Sequence, residues 1–139
     1  MHTQIQDLYD FAQVKYKMTL HSGEEGLCNT ASWVYLAEDI SNASFLKAGE
    51  LIITTGLFTH SGIGLRTFIE TLVMSNCSGI LINVGKYLYE EDLTAEILQY
   101  CQINKFPIFT MPWEIHLVDI MQDFCRLFLY ETHREDLLS

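Results

Sequence analysis

The 139-residue chain is 49% hydrophobic and 19% charged, with two prolines and eight glycines, which excludes a disordered or collagen-like chain. Its length fits one domain with a single core. The formal net charge of −10 at pH 7 argues against binding of nucleic-acid backbones or anionic membranes by this chain itself, because both need a positive surface.

The sequence also bears on location and redox state. It begins without the basic segment and apolar run of a secretory signal, and no apolar stretch approaches the roughly 18 residues of a membrane span. We therefore predict a cytoplasmic protein. The four cysteines form no Cys-x-x-Cys pair and no cluster at zinc-ligand spacing, so we predict reduced, mostly buried thiols: Cys28, Cys77, Cys101 and Cys125.

In the first third of the chain the pattern predicts one helix and one strand. Apolar residues at helical spacing predict a helix that begins near Gln4, with Thr3 and Gln6 as its capping box. Residues 18–27 are rich in turn formers and predict a loop. The β-prone run Trp33–Leu36 then predicts the first strand, followed by a loop with one helical turn.

From residue 50 onward, strands and helices alternate. Continuous apolar, β-branched runs predict strands buried on both faces: residues 51–55, 79–84 and 108–111. Apolar stripes predict helices: residues 65–73, a helix capped by Asp92 or Thr94, and residues 115–138. We therefore predict an α/β fold, a single domain of residues 1–139 with a mostly parallel sheet flanked by helices, a β-α-β-α-β core and a C-terminal helix.

The predicted last helix has two further features. Phe124, Leu127, Phe128 and Leu129 cover more of its circumference than one packed stripe needs, which predicts a self-association surface and a homodimer. Residues 132–139 contain neither Gly nor Pro, so we expect this helix to lead into downstream domains that the chain lacks.

No sequence motif points to catalysis. The chain has no phosphate-binding P-loop, no His-Glu-x-x-His and no Gly-x-Ser-x-Gly elbow. We expect no enzyme activity, no catalytic residue, no metal ion and no cofactor. A small enzyme that uses the His60 loop is an alternative of another class, since His60 is the histidine that lies in a predicted strand-end loop. We assign no functional role to the others: His2, His21, His116 and His133.

Thr54, Thr55 and Gly56 mark the best small-molecule site in the sequence. They lie at the carboxyl end of a predicted buried strand, where open α/β sheets place ligands. The alternative is that the threonines are ordinary sheet residues and the glycine ends the strand. Glu50, just before this strand, is predicted either to anchor a helix end or backbone amide or to contact the ligand.

Further candidates follow the next two strands. Lys86, Tyr87 and Tyr89 follow the second buried strand and present a cation and two hydroxyls at the same sheet edge, although an exposed lysine is usually only solvated. Trp113 follows the third buried strand. It is predicted either to line a pocket or to seal the core under the last helix. Because parallel strands gather their carboxyl ends, we predict that these residues meet around a small polar, nitrogen-rich metabolite.

Several segments together resemble one known family. The most specific is the Gly-Glu-Leu-x-x-Thr-Thr-Gly segment of residues 49–56. In the same order and spacing follow Gly-Ile-Leu-Ile at residues 79–82, Gly-Lys-Tyr-Leu at 85–88, Phe-Pro-Ile at 106–108 and Met-Pro-Trp at 111–113. These segments resemble the N-terminal domain of the purine-catabolism regulator (PucR-like) family of bacterial transcription factors, over most of the chain.

The resemblance implies a regulatory, metabolite-sensing domain ahead of a C-terminal helix-turn-helix domain, which this chain does not contain. It implies target genes in purine, ureide and related nitrogen catabolism, and it carries over no catalytic residue. The alternative from another class is a dimerisation module that binds no small molecule. In either case we expect no direct DNA binding by this chain and no membrane association.

Overall fold

The computed structural model describes residues 2–41 and 43–138, with the side chains of the last helix described up to residue 131. Within this part of the chain, five strands and four α-helices are present. The strands are β1 (Thr19–Ser22), β2 (Trp33–Leu36), β3 (Glu50–Thr54), β4 (Gly79–Val84) and β5 (Ile108–Pro112). The helices are α1 (Ile5–Lys15), α2 (Leu65–Met74), α3 (Ala95–Ile103) and α4 (Leu117–Leu138).

All five strands belong to one sheet, in the order β1-β5-β4-β3-β2. Each of the pairs β2–β3, β3–β4 and β4–β5 is parallel, whereas β1 runs antiparallel to β5. The predicted α/β class, with a mostly parallel sheet, flanking helices and a C-terminal helix, is confirmed. Because the parallel strands follow one another in sequence and in space, their helical connections lie on one face of the sheet.

Two local predictions near the start of the chain are wrong. The predicted loop of residues 18–27 contains β1, a four-residue strand whose pairing with β5 is broken by a bulge between Leu20 and Ser22. A bulge disrupts the two-residue alternation by which strands are recognised in sequence. The capping box of α1 lies one residue later than predicted, with the Gln4 N–H donating to the Asp7 carboxylate at 2.8 Å.

Apolar side chains cover both faces of the parallel strands. On one face, residues of β3, β4 and β5 pack with α2 and α3 in a buried cluster that includes Ile52, Ile80, Ile108, Phe68, Leu72 and Cys101. On the other, alternate strand residues pack with α1 and α4 in a second cluster that includes Leu51, Ile53, Phe109, Leu8, Ile120 and Phe124. The strand ends are therefore the places where polar chemistry meets solvent.

The long helix α4 packs with α1 on the second face of the sheet. Of its predicted apolar residues, Phe124 and Phe128 belong to the packed stripe, Leu127 is half-buried and Leu129 is 60% exposed. Phe128 contacts Trp33 of β2, with 5.4 Å between the ring centroids. Self-association through α4 stays a prediction, and Leu129 is the residue of the four that is open to it. Among the described residues, no helix is both long and apolar enough to cross a membrane.

The cysteines are free thiols as predicted, but only two of the four are buried. Cys77 and Cys101 are buried, and burial raises the pKa of each thiol to about 12. Cys125 is half-buried, whereas Cys28 is exposed. The two fully buried thiols are therefore poor nucleophiles.

Asp123 joins α1 to α4. Its carboxylate lies 2.8 Å from Lys15 Nζ and also accepts a hydrogen bond from the Tyr16 hydroxyl. Arg126 Nη1 lies 3.1 Å from the second carboxylate oxygen. The hydrogen bonds from Lys15 and Tyr16 lower the pKa of Asp123 below its ordinary value of 3.8. The end of the first helix is thus tied to the middle of the last one.

We expect Asp123→Asn to lower the thermal midpoint of unfolding at neutral pH, because it removes the charge that Lys15 and Tyr16 stabilise. The pKa of Asp123 is lower in the folded protein than its ordinary value of 3.8, which applies to the unfolded chain. The charged carboxylate therefore stabilises the fold at pH values above 3.8, and this contribution is lost as the pH falls through the folded pKa. In thermal melts, the gap between wild type and variant should therefore close at acidic pH. The control Asp119→Asn changes an exposed aspartate in the first turn of the same helix. In the part of the chain that the structure describes, its charge interacts only with the helix N-terminus, so this variant should show a smaller gap. A gap for Asp123→Asn that is independent of pH would contradict this account.

Candidate functional site

The carboxyl ends of β3, β4 and β5 lie side by side at one edge of the sheet. The register pairs Thr54 with Ile82 on one side of β4 and Val84 with Pro112 on the other. The ends of these strands and the segments after them hold six of the seven predicted site residues: Thr54, Thr55, Gly56, Lys86, Tyr87 and Trp113. The structure divides the six into two clusters.

Glu50, the seventh predicted residue, lies at the opposite edge of the sheet. It begins β3, five residues long, so about 13 Å of strand separates it from the carboxyl end. Its side chain is 7% exposed, and its carboxylate accepts a hydrogen bond from the Lys47 N–H at 2.6 Å. Of the two predicted alternatives, the contact with a backbone amide is the one present, and Glu50 is not brought together with the other six.

The first cluster is closed by Glu38, which follows β2. One carboxylate oxygen of Glu38 accepts hydrogen bonds from the Thr54 hydroxyl at 2.5 Å and from the Thr55 N–H at 2.8 Å. The other oxygen accepts a hydrogen bond from the Thr55 hydroxyl. Both hydroxyls predicted to hold a ligand are therefore already bonded to a carboxylate of the protein. Sequence reasoning missed Glu38, and the signal for it was an acidic side chain just after a predicted strand of the same sheet.

Gly56 has a packing role in this cluster. Its φ of +91° is in the left-handed region, and a Cβ at this position would lie 2.7 Å from side-chain carbons of Leu88. Leu88 belongs to the segment after β4 and is 4% exposed. The glycine thus lets the turn after β3 pack closely against the segment after β4.

The second cluster is a row of aromatic rings across three loops. His60, after β3, meets Tyr87, after β4, edge to face with 4.9 Å between centroids. Tyr87 in turn meets Trp113, after β5, edge to face at 6.2 Å. The ammonium group of Lys86 lies over the rings of Tyr87 and Trp113, 5.2 and 5.7 Å from their centroids. Three of the predicted residues are therefore brought together here.

Trp113 also borders a cavity of about 460 Å³, which we call the edge groove. Trp113 is 39% exposed. Gly85, with a φ of +124°, lets it lie close to the chain after β4, because a Cβ on Gly85 would be 2.9 Å from the Cβ of Trp113. The groove is formed by the ends of β4 and β5, the loops after them and the start of β1, and its charged and polar lining residues are Lys17, Thr19, Tyr89, Glu90, Glu91, Thr110 and Glu114.

Thr110 of β5 is the most deeply buried polar residue of the groove, at 1% exposure. Its hydroxyl lies 2.7 Å from Nε2 of His21 and 3.5 Å from the Glu90 carboxylate. His21 lies in β1, the strand that sequence reasoning missed, so its place beside the groove was missed as well. The Thr110 hydroxyl therefore has His21 on one side and the Glu90 carboxylate on the other.

The domain can now be compared with known proteins. The model of the purine catabolism regulatory protein-like family matches residues 7–128. The chain belongs to this family. No curated protein matches it. Membership of the purine catabolism regulatory protein-like family supports a role related to regulation, and the matched range contains Glu38, both residue clusters and the whole edge groove.

We expect Glu38→Ala to destabilise the domain by about 1–3 kcal/mol, because it leaves the buried Thr54 hydroxyl and the Thr55 N–H without their acceptor. Glu38→Gln keeps a carbonyl oxygen that can accept a hydrogen bond, so it should lower the stability of the domain by less than Glu38→Ala does. Urea denaturation measures both. The matched control is Glu91→Ala, which removes an exposed glutamate at the same sheet edge and should change stability by less than about 0.5 kcal/mol. Equal stability of Glu38→Ala and wild type would contradict the importance of these contacts.

Proposed function

We propose that this domain is the metabolite-sensing, regulatory part of a bacterial transcriptional regulator. In this proposal a small nitrogen-rich metabolite binds in the edge groove and controls nitrogen or purine catabolic genes. In the same proposal, DNA binding is assigned to a helix-turn-helix domain outside these 139 residues, and the domain works in the cytoplasm without catalysing a reaction. The observation that carries the proposal is the edge groove, whose volume of about 460 Å³ suits a small molecule.

The position of the groove supports a ligand site. It lies outside the carboxyl ends of β4 and β5, the edge at which open α/β sheets bind ligands. It combines a partly exposed indole, Trp113, with a buried hydroxyl, Thr110, and carboxylates. An apolar ring beside a few polar groups is the usual composition of a site for a planar heterocycle.

The proposal places the ligand beside Trp113, with Lys86 and Tyr87 at the rim, rather than beside Thr54 and Thr55. The reason is that Glu38 already uses the donors of both threonines. A ligand at the threonines would have to displace a carboxylate held by three hydrogen bonds. A ligand at Trp113 displaces no hydrogen-bonded carboxylate and meets the Lys86 ammonium, which lies 5.7 Å from the centroid of the indole ring.

The output is proposed to run through α4. This helix begins at Leu117, four residues after Trp113, and the turn between them is closed by a hydrogen bond from the Ile115 N–H to the Pro112 carbonyl at 3.1 Å. A ligand that prefers one placement of α4 would shift the population towards it, by no more than its difference in affinity for the two placements. DNA-binding domains attached beyond α4 would then be repositioned.

A second candidate function is dimerisation without any small molecule. It is favoured by Leu129 and Tyr130 of α4, which are 60% and 65% exposed. A homodimer is compatible with both candidates. Under the second one, sedimentation detects a dimer that Leu129→Glu weakens, and no metabolite changes the stability of the domain.

Thermal unfolding of the domain with a panel of purines, ureides and amino acids tests the first candidate. A ligand at about one hundred times its dissociation constant adds roughly 2.7 kcal/mol of stability, an easily detected shift for a domain of this size. We expect at least one compound to give such a shift and Trp113→Ala to abolish it. The matched control is Trp33→Ala, because Trp33 is also 39% exposed but lies on β2, away from the groove.

Trp33→Ala should lower the ligand-free midpoint and keep the shift. A shift of equal size in Trp113→Ala and wild type would contradict the proposed site. A panel in which no compound shifts the wild type would contradict metabolite sensing and leave dimerisation as the function.

A further inference from the structure

We propose that the edge groove selects neutral or cationic ligands that carry planar N–H donor groups, such as aminopurines or guanidines, and rejects anionic ones. This inference rests on the proposed function, since it specifies the ligand class of the same groove. It is carried by the charges, the hydrogen-bonding groups and the aromatic ring that line the cavity.

The charged residues of the groove leave an excess of carboxylates. Four charged residues line the groove, and two of them, Lys17 and Glu114, form an ion pair with 3.7 Å between Nζ and the carboxylate oxygen. Within the described part of the chain, no basic nitrogen lies within 4.0 Å of the carboxylates of Glu90 or Glu91. The lining therefore holds two negative charges that no ion pair neutralises.

Lys86 does not reverse this balance. Its side chain lies outside the lining of the groove, with the ammonium group over the rings of Tyr87 and Trp113. If its single positive charge is counted with the groove, one negative charge remains. An anionic ligand would therefore meet like charge at Glu90 and Glu91, and moving it from water into the groove would cost free energy.

The hydrogen-bonding groups lead to the same ligand class. An ionised carboxylate only accepts hydrogen bonds, so Glu90 and Glu91, which are both exposed, favour a ligand that supplies donors. The Thr110 hydroxyl donates its hydrogen bond to the Glu90 carboxylate at 3.5 Å and lies 2.7 Å from Nε2 of His21, so towards a ligand it can only accept. A ligand with several N–H groups in one plane satisfies two carboxylates at once, and these charge-assisted bonds are about twice as strong as neutral ones.

The indole of Trp113, which has the Lys86 ammonium 5.7 Å from its ring centroid, favours a flat, electron-poor group against its ring. The face of an indole is electronegative and attracts cations and planar donors such as guanidinium. The segment that carries Tyr89, Glu90 and Glu91 also lines the groove. In this proposal a planar group lies against Trp113 and donates N–H groups to these carboxylates.

Calorimetric titration of the domain at low ionic strength tests the inference with two sets of probes. Adenine and agmatine are neutral or cationic and rich in N–H donors. Urate and allantoate are anionic at neutral pH, and urate matches adenine in size. We expect a member of the first set to bind at least about tenfold more tightly than urate and allantoate, the size of effect that one charge-assisted hydrogen bond supports.

The double variant Glu90→Gln/Glu91→Gln keeps the shape and the carbonyl oxygens but removes both charges. We expect this variant to bind adenine or agmatine about tenfold more weakly than the wild type does. Its preference for these compounds over urate should shrink or reverse. Glu24→Gln is the matched control, because Glu24 is an exposed glutamate outside the edge groove, and it should leave both affinities unchanged.

The possible failures are distinguishable. Trp113-dependent binding of urate or allantoate in preference to the first set, or of amino acids alone, would overturn this inference and leave metabolite sensing in place. An unchanged affinity for adenine or agmatine in the double variant would also overturn it. The absence of binding by every probe and every panel compound would overturn the proposed function itself.

Discussion

Burial of β3, β4 and β5 between two layers of helices leaves the strand ends as the main place where polar groups of the sheet can meet solvent. Ile52, Ile53 and Leu81 are completely buried, and alternate strand residues belong to different apolar clusters. Any polar chemistry therefore collects in the loops after the strands. The parallel register brings these loops to one edge, so residues distant in sequence become neighbours there.

This edge is divided into a closed half and an open half. On the β2–β3 side, Glu38 binds the threonine donors and ties the ends of the two strands together. On the β4–β5 side, Trp113 borders the edge groove, and Gly85 permits the close approach that positions the indole. The difference between the halves is the reason to locate a ligand at Trp113. The same contacts give Thr54 and Thr55 a structural role in joining β3 to Glu38.

The open half is also the one connected to the last helix. The chain passes from β5 through Trp113 directly into α4, and Asp123 on that helix is held by Lys15 and Tyr16 at the end of α1. A ligand in the groove would therefore act next to the start of a helix whose middle is already anchored. A movement of α4 would therefore have to break the contacts of Asp123 with Lys15 and Tyr16, or leave the part of the helix around Asp123 in place.

Much of this architecture follows from local sequence patterns, and the exceptions share a physical cause. The apolar runs of β3, β4 and β5 are readable because burial on both faces demands continuous apolar residues. β1 was missed because its pairing with β5 is bulged, and pairing is a long-range property. Glu38 was missed for the same reason, since it lies 16 residues from Thr54 in sequence. Glu50 was grouped with the site although it begins the strand that Thr54 ends.

The most direct test of this account is an NMR titration of the isotopically labelled domain with the compound that stabilises it most. The account predicts that amide chemical-shift changes concentrate at residues 84–91 and 110–114, the two segments that border the edge groove, with smaller changes at the start of α4. Changes concentrated at the opposite edge, around Glu50 and Gly79, would contradict the central claim that the carboxyl ends of the buried strands hold the ligand.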